Sequence, residues 1–320
     1  MVLSTITTQA LADQCGKPDL FISACGYESR STHLARVCSE GAHKKVAVGF
    51  SAQQELRYEE NREWFVKNGF EVIDLSDLEF FPFACTLFDE LNREGEISSV
   101  VIDVSCMNRA RLAALLLALQ RTNAHAINAA FGYNIAQFTP PSTELAPTTV
   151  AEPVTPEFAG WTESPAKPPA AIIGLGYEES RAIGIVDHLE INNAAWAFVP
   201  VGPIDEYSHS VDQANRSLFE MINIEGRKLP YDVMDPASLF RELNSMVDLL
   251  KQTYNPILVP FGPKIFALVA LMVACAHRDV GVWRVSSGLL ETPVDRLPSS
   301  HTTILHARYQ NAVDSSRHEG

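Results

Sequence analysis

Apolar residues along this chain fall into short runs rich in Val and Ile, separated by stretches whose apolar positions recur at helical spacing. Residues 20–24, 45–49, 71–75, 100–104 and 126–131 read as strands, with helices at 31–40, 55–68, 83–93 and 108–122 between or after them. The second half repeats the alternation. There, strands fall at 172–175, 195–199, 257–259 and 282–285, and helices at 182–190, 211–222, 237–254 and 265–277. Continuously apolar strands that alternate with helices predict an α/β fold, each half a mostly parallel sheet with helices on both faces. The longest apolar stretches, 110–119 and 265–276, are too short to span a bilayer and read as core helices.

The two halves resemble each other in detail. Gly26-Tyr27-Glu28-Ser29-Arg30 returns as Gly176-Tyr177-Glu178-Glu179-Ser180-Arg181, each directly after an apolar strand. Asn61-Arg62 answers Asn215-Arg216, and Leu112, Leu115, Leu116 and Leu119 answer Leu268, Leu271, Met272 and Cys275. The offsets are 150, 154 and 156, growing slowly as small insertions would make them. Residues 1–140 and 170–310 are therefore expected to be tandem copies of one unit. Between them, 141–169 reads as a linker. Eight prolines between 139 and 169 argue against a helix or central strand there, and Phe158 and Trp161 are expected to dock on a unit's surface. Residues 311–320 read as a polar tail.

Composition narrows the class of protein. Hydrophobic content of 46% and charged content of 20% suit a soluble globular chain. A net charge of −14 repels nucleic-acid phosphates and anionic membranes, so neither nonspecific nucleic-acid binding nor membrane binding is expected. Six cysteines without C-x-x-C pairing, and scattered histidines, suggest neither a disulfide framework nor a metal site. With no basic leader before an apolar run near the start, the expected location is the cytoplasm. No cofactor is indicated: P-loop, G-x-G-x-x-G and G-x-S-x-G motifs are all absent.

In doubly wound folds, ligands bind outside the carboxyl ends of the strands. The first candidate set is therefore the repeated loop: Gly26, Tyr27, Glu28 and Arg30, with Gly176, Tyr177, Glu178 and Arg181. Glycine admits close backbone approach, tyrosine can stack on a ring, and arginine can grip a phosphate or carboxylate bidentately. The alternative is a structural turn in which Glu and Arg pair with each other. The second set follows the fourth strand: Asp103, Ser105, Asn108 and Arg109, with Ser105 expected to cap the next helix and Arg111 a further phosphate candidate. Gly262 and Lys264 stand in the equivalent place of the second half, with no carboxylate. Glu28 and Asp103 are the candidates for a base or nucleophile. Cys106, near a helix start, lacks the Arg six residues on that a phosphatase loop needs, because position 112 is Leu. His209 beside Asp205 and Glu206 could serve acid–base chemistry, though a solvated connection is the more ordinary reading.

The strand followed by Asp103-x-Ser105-x-x-Asn108-Arg109 and a helix, with Gly262-Pro263-Lys264 in the partner half, resembles the ligand loop of CARF domains. The likeness covers about thirty residues per half, lacks the Gly-Gly-Thr-Lys run usual after the strand, and is followed by no effector domain in this sequence. It implies Rossmann-like units that sense cyclic oligoadenylates in prokaryotic antiviral defence, with these residues lining a nucleotide site where two units face each other. The leading expectation is thus a sensor of a nucleotide or other small phosphorylated ligand. Two others stand beside it: an enzyme acting on a nucleoside, nucleotide or sugar phosphate, and an adaptor for a protein partner that keeps only the shell of a site.

Overall fold

Residues 1–10, 16–91, 96–141, 148–162, 164–178, 181–191, 194–287 and 292–311 are described by a computed structural model. The chain divides into two units, Met1–Gln137 with Pro293–Gly320, and Phe138–Thr292. The first begins with β1 (Val2–Ala10), β2 (Leu20–Cys25) and α1 (His33–Cys38), then β3 (Lys44–Phe50) and α2 (Tyr58–Lys67). It continues through β4 (Glu71–Leu75), α3 (Asp77–Asp89), β5 (Ile97–Asp103), α4 (Arg109–Arg121) and β6 (Ala126–Ala136). The second contains β7 (Val150–Pro153), β8 (Pro169–Gly174), α5 (Arg181–His188), β9 (Ala195–Val201), α6 (Asp205–Ala214) and α7 (Arg216–Met221). After β10 (Lys228–Asp232), α8 (Pro236–Leu250), β11 (Asn255–Pro260), α9 (Lys264–Ala276) and β12 (Gly281–Ser286), the chain returns to the first unit as β13 (Pro298–Gln310).

Strand order is β1-β13-β6-β5-β2-β3-β4 in the first unit and β10-β9-β8-β11-β12-β7 in the second. Strands β2 to β6 are parallel neighbours, as are β8 to β12. Within each set the order is third, second, first, fourth, fifth, and an antiparallel strand lies beside the fifth: β13 in one unit, β7 in the other. Both units are thus α/β, mixed and mostly parallel, consistent with a Rossmann-like fold. Alternate strand positions bury opposite faces of each sheet. In the first unit Phe21, Ala47, Val101 and Ala130 pack with Leu34 and Phe65 of α1 and α2, while Arg111 of α4 stacks on Phe50 of opposite parity. In the second, Ala171, Ile173, Ala197 and Val259 meet Ile185 of α5 and Leu218 of α7, and Phe198 points the other way to meet Phe266 of α9.

Several elements differ from the sequence reading. β13 lies in the first sheet although 170–310 was read as a single second unit: its pairing with β1 and β6 overrides its nearness in sequence to β12. β1, β7, β10 and β13 were unforeseen because edge or half-exposed strands lack a continuous apolar run. Part of the proline-rich stretch is itself structured, since β7 pairs antiparallel with β12 at the sheet edge, where proline is tolerated. Phe158 is buried as expected, whereas Trp161 is 80% exposed. Helix α3 starts six residues before the expected 83, because Ser76 and Glu79 close a capping box that fixes its start, and it runs on through Pro82. Asp205 and Glu206 open α6 rather than a loop, as acidic residues suit a first helical turn.

Candidate functional site

In the order third, second, first, fourth, chain connections leave the first and fourth strands in opposite directions, which opens a crevice at their carboxyl ends. The candidate residues flank that crevice in each unit, beside β2 and β5 in the first and β8 and β11 in the second. The two rims are built from like parts and finished differently.

In the first unit, a Cβ on Gly26 would stand 3.2 Å from that of Cys106, so glycine lets the two loops touch. Ser31 Oγ accepts from Gly26 N at 3.0 Å and donates to Ala24 O at 2.7 Å. Asn61 Nδ2 donates to Gly26 O and Glu28 O at 2.8 and 2.9 Å, which places the second repeated motif directly behind the first. Arg30 turns inward. Its Nε donates to Glu28 Oε2 at 2.5 Å and its Nη1 to Asn134 O at 2.9 Å, with the two side chains only 4% and 9% exposed. Burial alone would lower the Arg30 pKa, but Glu28 beside it raises it well above the ordinary value, so the guanidinium stays charged. Burial pushes the nearby Tyr133 hydroxyl up against the opposing pull of Arg30. Cys106 Sγ lies 3.8 Å from Glu28 Oε2. This is the pairing that the structural-turn alternative describes. A carboxylate held this way is poorly placed as a free base.

The second candidate set of this unit is equally occupied. Asp103 is 2% exposed and accepts from Ser105 N at 2.9 Å. Ser105 does not cap α4. Three residues intervene, and its Oγ accepts from Asn134 N instead. The cap is Asn108, whose Oδ1 accepts from Arg111 N at 2.8 Å while its Nδ2 donates to Asp77 at 2.8 Å. Arg109 sits half-buried in the first turn. Arg111, 1% exposed, donates to the carbonyls of Val48, Gly49 and Leu75 and to Asp77, and lies 3.6 Å over the Phe50 ring. It is a clamp across the ends of β3 and β4, not a phosphate ligand. Over the rim runs the chain's own segment before β13: Ser29 N and Oγ donate to the Asp295 carboxylate at 2.6 and 2.7 Å, and Arg30 N to Arg296 O at 3.1 Å.

In the second unit the loops approach still more closely. A Cβ on Gly262 would lie 2.2 Å from Leu175 O, and one on Gly176 3.1 Å from Phe261 O. Asn215 Nδ2 donates to Gly176 O at 2.8 Å, the same contact that Asn61 makes with Gly26. Here the resemblance stops. Tyr177, Glu178, Arg181, Gly262 and Lys264 are all half-buried, and Arg181 Nη2 donates to Ser287 Oγ at 3.2 Å. Tyr177 and Tyr207 rings stand 5.6 Å apart, with Phe138 edge-on to Tyr207 at 5.2 Å. At the third position of α9, where α4 has Arg111, Phe266 packs on Phe198 and Tyr231. His209 lines an open groove on α6 and α7 with Asp212, Gln213 and Arg216.

Each unit thus gathers its own share of the candidates. Missed from sequence were Asn134, Asp295 and the pairing of Tyr177 with Tyr207. The repeat of Asn61 and Asn215 was the available signal for the contact behind each loop. No group of three or more His, Cys, Asp or Glu suited to a metal occurs among the described residues, nor does any helix there have the length and apolar character to cross a membrane. No protein-family model matches the chain, and no curated protein matches it.

Proposed function

We propose that the rim of the second unit binds a nucleotide or a comparable phosphorylated small molecule, and that the protein acts as its sensor. One observation carries this reading: the motif's glutamate and arginine are buried and paired with each other in the first unit, whereas Glu178 and Arg181 are half-buried in the second and Arg181 bonds Ser287. There, Tyr177 and Tyr207 offer faces for a base, and Arg181 and Lys264 offer charge to phosphate beside glycines that let the ligand reach the backbone. A cytoplasmic role in antiviral defence extends this proposal and rests on the CARF resemblance of residues 100–116 and 262–264. We also read the two units as descendants of one duplicated unit, joined through 141–169, a stretch whose β7 is also a strand of the second sheet. The shared strand order and the matching Asn61 and Asn215 contacts support that reading.

Thermal denaturation against a panel of cyclic and linear nucleotides tests the function. A ligand at a hundred times its Kd adds about 2.7 kcal/mol and raises the melting temperature by several degrees. Arg181→Ala or Lys264→Ala abolishes that rise while leaving the unliganded protein folded. A panel in which no nucleotide shifts the transition sinks the proposal.

A further inference from the structure

The first unit's rim is covered by a segment with little of its own to hold it. We propose that residues 293–297 are a latch, fastened by Asp295, whose closure seals the Glu28–Arg30–Cys106 cluster and whose release opens it. The segment has neither helix nor strand, and Val294 and Leu297 are 40% and 49% exposed, so burial of apolar side chains is a weak anchor. Its grip on the loop is polar. Asp295 Oδ1 takes the Ser29 amide at 2.6 Å and its Oδ2 the Ser29 hydroxyl at 2.7 Å, with Arg57 Nε 3.7 Å from that same Oδ2. Arg296 O accepts from Arg30 N at 3.1 Å, and the Arg296 charge acts on Tyr133 together with that of Arg30. Beneath lie a buried Arg30–Glu28 ion pair and a thiol with 9% exposure on its residue, groups that a structural wall alone does not require. Charge-assisted hydrogen bonds at Asp295, on a strap whose far end is hinged where Gln137 N donates to Leu297 O at 2.9 Å, are a closure that opens without unfolding the sheet. The latch does not depend on a ligand at the second rim, and its test uses none.

The experiment compares Asp295→Ala with the unaltered full-length protein, using iodoacetamide labelling of Cys106 read by peptide mass spectrometry and amide hydrogen exchange. Losing the carboxylate should speed Cys106 alkylation by about tenfold, the scale of one charge-assisted hydrogen bond. Exchange should quicken over residues 28–31 with β3 and β5 unchanged. Unaltered Cys106 labelling overturns the latch, and so does loosening of β3 and β5 in step with the loop. Should Asp295→Ala fail to fold, Arg57→Ala, at an exposed side chain, gives a smaller rise in the same direction. Silence in that variant also overturns it.

Discussion

The rims of the two units share a loop glycine, a Tyr-Glu pair and an asparagine braced behind them, yet the glutamate and arginine of one are buried and those of the other half-buried. The difference lies in where arginine goes. Arg30, two residues after Glu28, folds back onto it and is buried with it. Arg181 stands three residues after Glu178, starts α5 and reaches Ser287 instead. One inserted residue separates a buried ion pair from a half-buried arginine that reaches Ser287. A shared motif therefore marks a shared place in the fold, while its chemistry depends on what the next turn of chain does with the charge.

The sharpest way to break this comparison is to make the same substitution in both copies. Arg30→Ala leaves Glu28 buried without its cation and should cost about 3–5 kcal/mol, whereas Arg181→Ala, at a half-buried side chain that bonds the Ser287 hydroxyl, should cost about 1 kcal/mol. Urea unfolding of both variants measures this, and equal losses would erase the distinction. The opposite faces of the sheets differ as well. A Cβ on Gly174 would meet the Phe266 ring at 2.2 Å, so Gly174→Ala should cost about 1–3 kcal/mol by overpacking; the matching position of the first unit already carries alanine, Ala24.

The smallest effect concerns the helices that follow the third parallel strand of each unit, α3 capped by Ser76 and α8 capped by Asp235. Ser76→Ala should lower the melting temperature by about 2–4 °C. Hydrogen bonds from the Ser76 hydroxyl and amide hold Glu79 below the ordinary carboxylate value. Such a group adds stability above its unfolded pKa and loses it as pH falls through the lower folded one. Ser76→Ala should therefore also flatten the acid side of the melting profile. An unchanged acid limb would detach Glu79 from the cap.

Much of this was legible from the chain. The five parallel strands of the first unit and four of the five in the second were visible because most are short apolar runs between helical segments; β4, half-exposed at its sheet edge, was marked by Val72 and Ile73 after the Asn68-Gly69 helix end. The repeated loop was found because glycine before a helix has few substitutes at a crossing of two loops. Strands β1, β7, β10 and β13 were not visible, since half-exposed edges alternate weakly and gain their identity only from a partner.

Sequence alone determined that this is an α/β chain with two similar halves and a rim motif in each, because local apolar pattern and loop composition are properties of neighbouring residues. Only tertiary structure decided that residues after 293 close the first sheet, that Asp295 covers one rim and that Arg111 is spent on three carbonyls. Burial and pairing between distant residues set whether a charge is structural or available, and no local pattern encodes that.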